Sequence, residues 1–220
     1  ESSPNIPVFL VSASPRRRKI IRGLDLDVRF AHPDGPETPR LPDESANDFV
    51  VRQAVNKSIT TAYKFIGNSI LISADTVVSL DNVLMGKPSG INEASEMLRR
   101  LSGRTHSVFT GIAVVETESR RLFTHYEETT ILMRDFSQSE IAGYISTGGP
   151  MDKAGGYGIQ DRQFQPAQKV SGCFLNVVGL PICEVILLLE RLNIRSRLRG
   201  NGQLPKQCSD CPLNGDSKQV

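Results

Sequence analysis

Cysteine is scarce in this chain, with four in 220 residues. That excludes a disulfide-built scaffold, on which small secreted domains depend when their cores are too small. Cys208 and Cys211 form a Cys-Ser-Asp-Cys pair near the end. No second clustered pair stands beside it in sequence, so a four-ligand zinc site is not expected and the pair reads as inert. Long apolar runs are missing too. Val185 to Leu189 is short and followed by Glu190, far from the roughly 18 apolar residues that span a bilayer. The first residues lack the basic start and apolar middle of a secretory signal, so a cytoplasmic protein without a membrane partner is expected. Nor is charge of one sign in excess. Lys and Arg total 26 against 24 for Asp and Glu, which leaves no global field to grip a nucleic-acid backbone. The basic run Arg16 to Arg22 has no interleaved aromatics of the kind single-strand binding uses. A nucleic-acid partner is therefore not expected, and any positive charge that matters must be local.

What is present suits one domain, since 220 residues at 39% hydrophobic content bury a single core. Residues 1–194 carry the core-forming pattern, and residues 195–220, basic and then polar, read as a disordered tail. Apolar Val8 to Val11 predicts a buried strand, with a turn at Ser12-Ala13-Ser14 and a helix from near Pro15. Asp43-Glu44-Ser45 precedes a helix through Phe49, Ala54 and Ala62 that fades around Gly67. Ile70 to Ile72 predicts a strand that Ser73-Ala74-Asp75-Thr76 interrupts before Val77-Val78 resumes it toward a hairpin tipped by Asp81-Asn82. Glu93 to Leu101 and Ser137 to Ile145 predict helices, and Val108 to Val115 and Thr129 to Met133 predict long strands. The glycines of Met151 to Gln160 predict a loop. Phe174 to Val178 predicts a strand, and Pro181 opens a last helix to about Leu192. The sum is a mixed α/β domain built around a twisted mixed sheet flanked by helices.

Several segments carry candidate chemistry. Ser12-Ala13-Ser14-Pro15-Arg16-Arg17-Arg18 sits where a strand hands over to a helix, offering hydroxyls, amides and guanidinium groups to a polyphosphate. A solvated basic helix face is the competing reading. Asp75 is a carboxylate set in a buried strand, which costs several kcal/mol unless it is paired or holds a metal; a turn-forming aspartate is the plainer alternative. Gly86-Lys87-Pro88 holds a lysine between a flexible and a rigid residue. It is not a Walker A loop, whose Ser or Thr would fall on Pro88, and a hairpin exit explains it equally well. In Met151 to Gln160 the glycines would admit a close ligand, and Gln160 offers a paired donor and acceptor for a base edge. His106, after Leu101-Ser102-Gly103, reads as structural rather than as a base.

Together with Asp43-Glu44-Ser45, Thr110-Gly111 and Asn176-Val177-Val178-Gly179-Leu180-Pro181, these segments closely resemble, in order, the motifs of the Maf family of nucleotide pyrophosphatases, over about Val8 to Leu192. The resemblance implies a two-lobed α/β fold with a central cleft, related to the inosine triphosphate pyrophosphatases, and a homodimer. It implies hydrolysis of a nucleoside triphosphate to monophosphate and pyrophosphate with a divalent metal, Mg²⁺ or Mn²⁺. By position, Asp75 matches the family's proton acceptor, and Lys57 and Lys87 match its phosphate-binding lysines. Asp75 and Glu37 are the implied metal ligands, and Ser12, Arg16 and Arg17 would bind substrate. The family divides by substrate at the positions of Arg17, Thr76 and Gln160, where Arg, Thr and Gln resemble the branch acting on dTTP, UTP and modified pyrimidine triphosphates. A nucleotide-binding regulator of cell division without catalysis is the rival reading. One departure stands out. Asp161 to Pro166 replaces a glycine-rich stretch common in relatives, and a reshaped or mobile loop is expected there.

Overall fold

The computed structural model describes residues 6–199 and Cys208. Seven strands form one mixed sheet in the order β2-β1-β3-β5-β6-β7, with β4 paired to β3 off this path. They are β1 (Val8–Val11), β2 (Val28–Ala31), β3 (Ile70–Leu80), β4 (Val83–Met85), β5 (Thr105–Glu116), β6 (Leu122–Met133) and β7 (Ala167–Ser171). β1 runs parallel to β2 and β3, and every other pairing is antiparallel. The helices are α1 (Pro15–Ile21), α2 (Ala46–Ala62), α3 (Ile91–Leu101), α4 (Gln138–Ser146), α5 (Phe174–Val178) and α6 (Ile182–Glu190). None is long and apolar enough to cross a membrane among the described residues.

The expected break at Asp75 is absent. β3 is continuous through it, and Asp75 sits opposite Gly111 in the ladder with β5. What breaks is the neighbouring edge. β1 pairs with Ile70 to Ile72 and β4 with Val78 to Leu80, so the stretch 73–77 has a partner on the β5 side alone. Two cores flank this gap. One gathers β1, α1, α5 and α6 around Leu10, Ile72 and Val185; the other gathers α3, α4 and the far half of β3 around Leu80, Leu98 and Met133. The long strands β3 and β5 contribute to both. The result is two lobes on one sheet with a cleft between them.

Several local signals act as expected. Asp81 and Asn82 both adopt positive φ, at 50° and 62°, which is the geometry of a two-residue hairpin turn. Ser137 and Glu140 complete a reciprocal capping box at α4. Phe174 to Val178, expected as a strand, is instead the short helix α5. The Cys173 thiol caps it by accepting from Asn176 N at 3.4 Å, and Gly179 ends it at φ 116°. This turn presents the buried Asn176 amide to the sheet, where it donates to Val108 O at 3.0 Å and Thr129 Oγ1 at 2.9 Å. Those bonds, which a sequence window does not contain, outweigh the strand preference of two valines.

The divergent segment after Gln160 is anchored. Asp161 Oδ1 accepts from Gln163 N and Phe164 N, Phe164 stacks on Tyr144 at 4.1 Å, and Arg134 donates to the carbonyls of Phe164 and Gln165. The tail boundary drawn at 195 cuts through a contact. Leu198 bridges Leu24, and Asp25 N and Arg199 N donate to Arg197 O and Gly23 O. Of the rest of the expected tail, Cys208 is buried on the first core, against which Cys173 and Cys183 also pack. Residues 200–207 and 209–220, Cys211 among them, lie outside the described residues.

Candidate active site

Asp75 owes its position to a missing side chain. Alternation puts Ser73 and Asp75 on the face of β3 that α2 covers. Ser73 Oγ donates to Ala54 O at 2.6 Å and accepts from Ser58 Oγ at 2.7 Å, which pins the helix to the strand two residues before the carboxylate. Gly111, the partner of Asp75 in β5, faces the same helix, and a Cβ there would lie 2.3 Å from the carbonyl carbon of Val50. With glycine, α2 comes down close enough for Lys57 Nζ to form an ion pair with Asp75 Oδ1. Glu37, from the segment before α2, reaches the same ammonium at 3.6 Å. Asp75 is 9% exposed and lines the cleft.

Thr76 points to the opposite face. Its hydroxyl accepts from Arg17 Nη2 at 2.8 Å and lies 2.8 Å from Thr110 Oγ1, which in turn donates to Asn176 O at 3.0 Å. Arg17 Nε donates to Gly179 O at 2.7 Å. Burial presses the Arg17 pKa down, and the Asp75 carboxylate works against that shift. The guanidinium is thus fixed by two elements before any ligand arrives. Arg16, one residue earlier, crosses to the other lobe, where it pairs with Asp152 Oδ2 at 2.5 Å and donates to Asp152 O at 2.9 Å.

The cleft has a volume of about 520 Å³, within the usual range for a small-molecule site. Arg16, Arg17, Glu37, Lys57, Asp75, Thr76, Lys87 and Gln160 all line it, drawn from separate segments of the chain. Ser12 does not. Its side chain is buried, and Oγ is taken by Ser14 N at 3.2 Å, so it shapes the turn, while Ser14 lines the cleft and caps α1. Sequence reasoning missed Arg40, which lines the cleft and is held by Glu44 O, because residues 32–44 have no periodic pattern to place it. It also gave no role to Asp152, the partner of Arg16. Lining cations outnumber lining carboxylates by six to four, supplying locally the positive field that the chain as a whole lacks. Such a cleft suits a polyanion of nucleotide size.

His106 is structural, as expected. It is buried against Tyr157, with Nε2 2.7 Å from the phenol oxygen, and desolvation pushes its pKa down to about 4 from 6.5. The unfolded chain therefore takes up a proton that the folded chain refuses. The stability involved is present above pH 6.5 and is lost as pH falls from there toward 4, at about 3 kcal/mol over the window. Melting temperature is expected to drop across that range, and His106→Gln, though less stable at neutral pH, should show a shallower slope. An unchanged slope in the variant would rule out His106 as the source.

The chain belongs to the Maf-like protein family, which matches residues 7–192. A dTTP/UTP pyrophosphatase of Dehalococcoides mccartyi is 35% identical over 94% of this chain and 91% of its own length. The dTTP/UTP pyrophosphatases of Dictyoglomus thermophilum and Geobacter metallireducens are 38% and 40% identical, covering 84% and 83% of this chain and 95% and 94% of theirs. Among solved structures, a dITP/XTP pyrophosphatase from Mycobacterium abscessus aligns over 58% of this chain and 74% of its own at TM-score 0.39 and 12% identity, too distant a likeness to bear on fold or chemistry.

Proposed function

We propose that this chain hydrolyses dTTP, UTP and modified pyrimidine triphosphates to the monophosphate and pyrophosphate. The observation that carries the proposal is the convergence of Asp75, Lys57, Arg16, Arg17 and Lys87 on one cleft, in a chain whose relatives are dTTP/UTP pyrophosphatases. Asp75 takes the proton of the attacking water as its oxygen bonds to the α-phosphorus. The bond from that phosphorus to the bridging oxygen breaks, and Lys57, Lys87, Arg16 and Arg17 stabilise the departing pyrophosphate, so positioning and electrostatics supply most of the acceleration. Arg17, locked on Thr76 and Gly179, meets the phosphates without reorganising. Gln160, exposed on the rim, reads the base edge.

A divalent metal fits the donors present. Asp75 and Glu37 turn carboxylate oxygens toward one cation, the Lys57 ammonium, and hard oxygen donors suit Mg²⁺ or Mn²⁺. Bound there, such an ion would neutralise phosphate charge and acidify water. A homodimer is proposed on the family resemblance alone.

A screen of natural and modified triphosphates with each metal, read by pyrophosphate release, tests the proposal. Turnover should be fastest with dTTP, UTP or a modified pyrimidine analogue. Nucleotide binding without pyrophosphate release would favour the rival reading, a regulator without catalysis.

A further inference from the structure

Away from the cleft, β6 and α6 bring together three metal-ligating side chains. Alternation along β6 puts Phe123, His125, Glu127 and Thr129 on one half-buried face, with Thr124, Tyr126 and Glu128 more exposed on the other. Pro181 caps α6 and sets Glu184 in its first turn, over that face. His125 Nε2 lies 3.6 Å from Glu127 Oε2 and 3.5 Å from Glu184 Oε2, and one ligand atom from each of the three residues lies within 4.8 Å of the others. None of the three lines the cleft.

The spacing carries the argument. At 3.5 and 3.6 Å the contacts are longer than a good N–H···O bond, and Nε2 is shielded from solvent with no hydrogen-bond partner. The imidazole, its side chain 38% exposed, thus faces both carboxylates at ion-pair range rather than through a direct hydrogen bond. Two ligands on a tetrahedral ion with bonds of about 2.0–2.1 Å stand about 3.3–3.4 Å apart, close to what is seen. We propose that His125, Glu127 and Glu184 form a binding site for a divalent cation of the zinc class, separate from the catalytic cleft. One imidazole with two carboxylates selects a borderline ion such as Zn²⁺ over Mg²⁺, whereas the cleft offers hard carboxylate oxygens. Because β6 and α6 supply different ligands, the ion would clamp α6 to the sheet.

The test uses the full chain, stripped with a chelator and dialysed against micromolar Zn²⁺ in millimolar Mg²⁺, with bound zinc measured by mass spectrometry. The wild type should hold one zinc equivalent that His125→Gln and Glu184→Gln each lose, with affinity weakened by at least about a hundredfold, the upper end of the cost of an outer-sphere change. Zn²⁺ should raise the melting temperature of the wild type and not of His125→Gln, while Mg²⁺-supported dTTP turnover stays the same in both. Asp75→Asn should keep the equivalent. No zinc retained by the wild type, full retention in the His125 and Glu184 variants, or loss in Asp75→Asn would each overturn the site. The zinc and melting readouts do not depend on the proposed pyrophosphatase activity, so the site can fail or stand apart from it.

Discussion

Asp75→Asn should leave a folded protein that releases pyrophosphate from dTTP or UTP on the order of a thousandfold more slowly, within the range general-base removal produces. The substitution keeps the shape of the side chain. It removes the charge that pairs with Lys57 and the oxygen that takes a proton from water. Because an amide cannot serve as that base at neutral pH, the loss should appear in kcat more than in KM, as for an interaction made chiefly in the transition state. Lys57, relieved of its partner, remains in the cleft to meet phosphate, so nucleotide affinity should hold or rise. Circular dichroism and melting curves establish that the variant is folded. Near-normal turnover by a folded Asp75→Asn would remove this carboxylate from the chemistry.

The second large effect lies behind the site. Gly111→Ala should cost about 3 kcal/mol, at or beyond the upper end of ordinary overpacking, because the new Cβ would meet Val50 C, Val50 O and Val51 N at 2.3, 2.4 and 2.5 Å. These are backbone atoms of α2, and they have no rotamer with which to move aside. For a chain of this size that is a drop of roughly 10 °C in melting temperature. If α2 yields instead by lifting away, Lys57 parts from Asp75 and activity falls with stability. Gly143→Ala is the matched control. It lies on α4 with nothing within 4 Å of its added Cβ, and should be neutral or slightly stabilising. Equal melting temperatures for the two variants would contradict the close approach of α2 to β5.

Much of this arrangement was legible in the residues, and the exceptions share a cause. Asp81-Asn82, the helix capped by Ser137 and the helix ending at Leu101 rest on chemistry contained in a few neighbouring positions, and they form as expected. α5 depends on a buried amide meeting β5 and β6, and β2 and β7 are short strands whose pairing partners lie far off in sequence. Asp75 was legible as an oddly placed carboxylate. Its setting is not legible there, because the break belongs to the neighbouring strands and not to β3. In sequence Ser12 reads as a ligand, because hydroxyls at a strand end invite it, yet the turn uses its oxygen internally. The Arg16–Asp152 pair spans 136 positions, a separation at which only the fold makes partners visible.

Attack by water at the α-phosphorus beside Asp75 is tested most directly by dTTP turnover in ¹⁸O-labelled water. The label should enter dTMP alone, with one pyrophosphate released for each dTMP formed. Label in the pyrophosphate, or products consisting of dTDP and orthophosphate, would contradict the account.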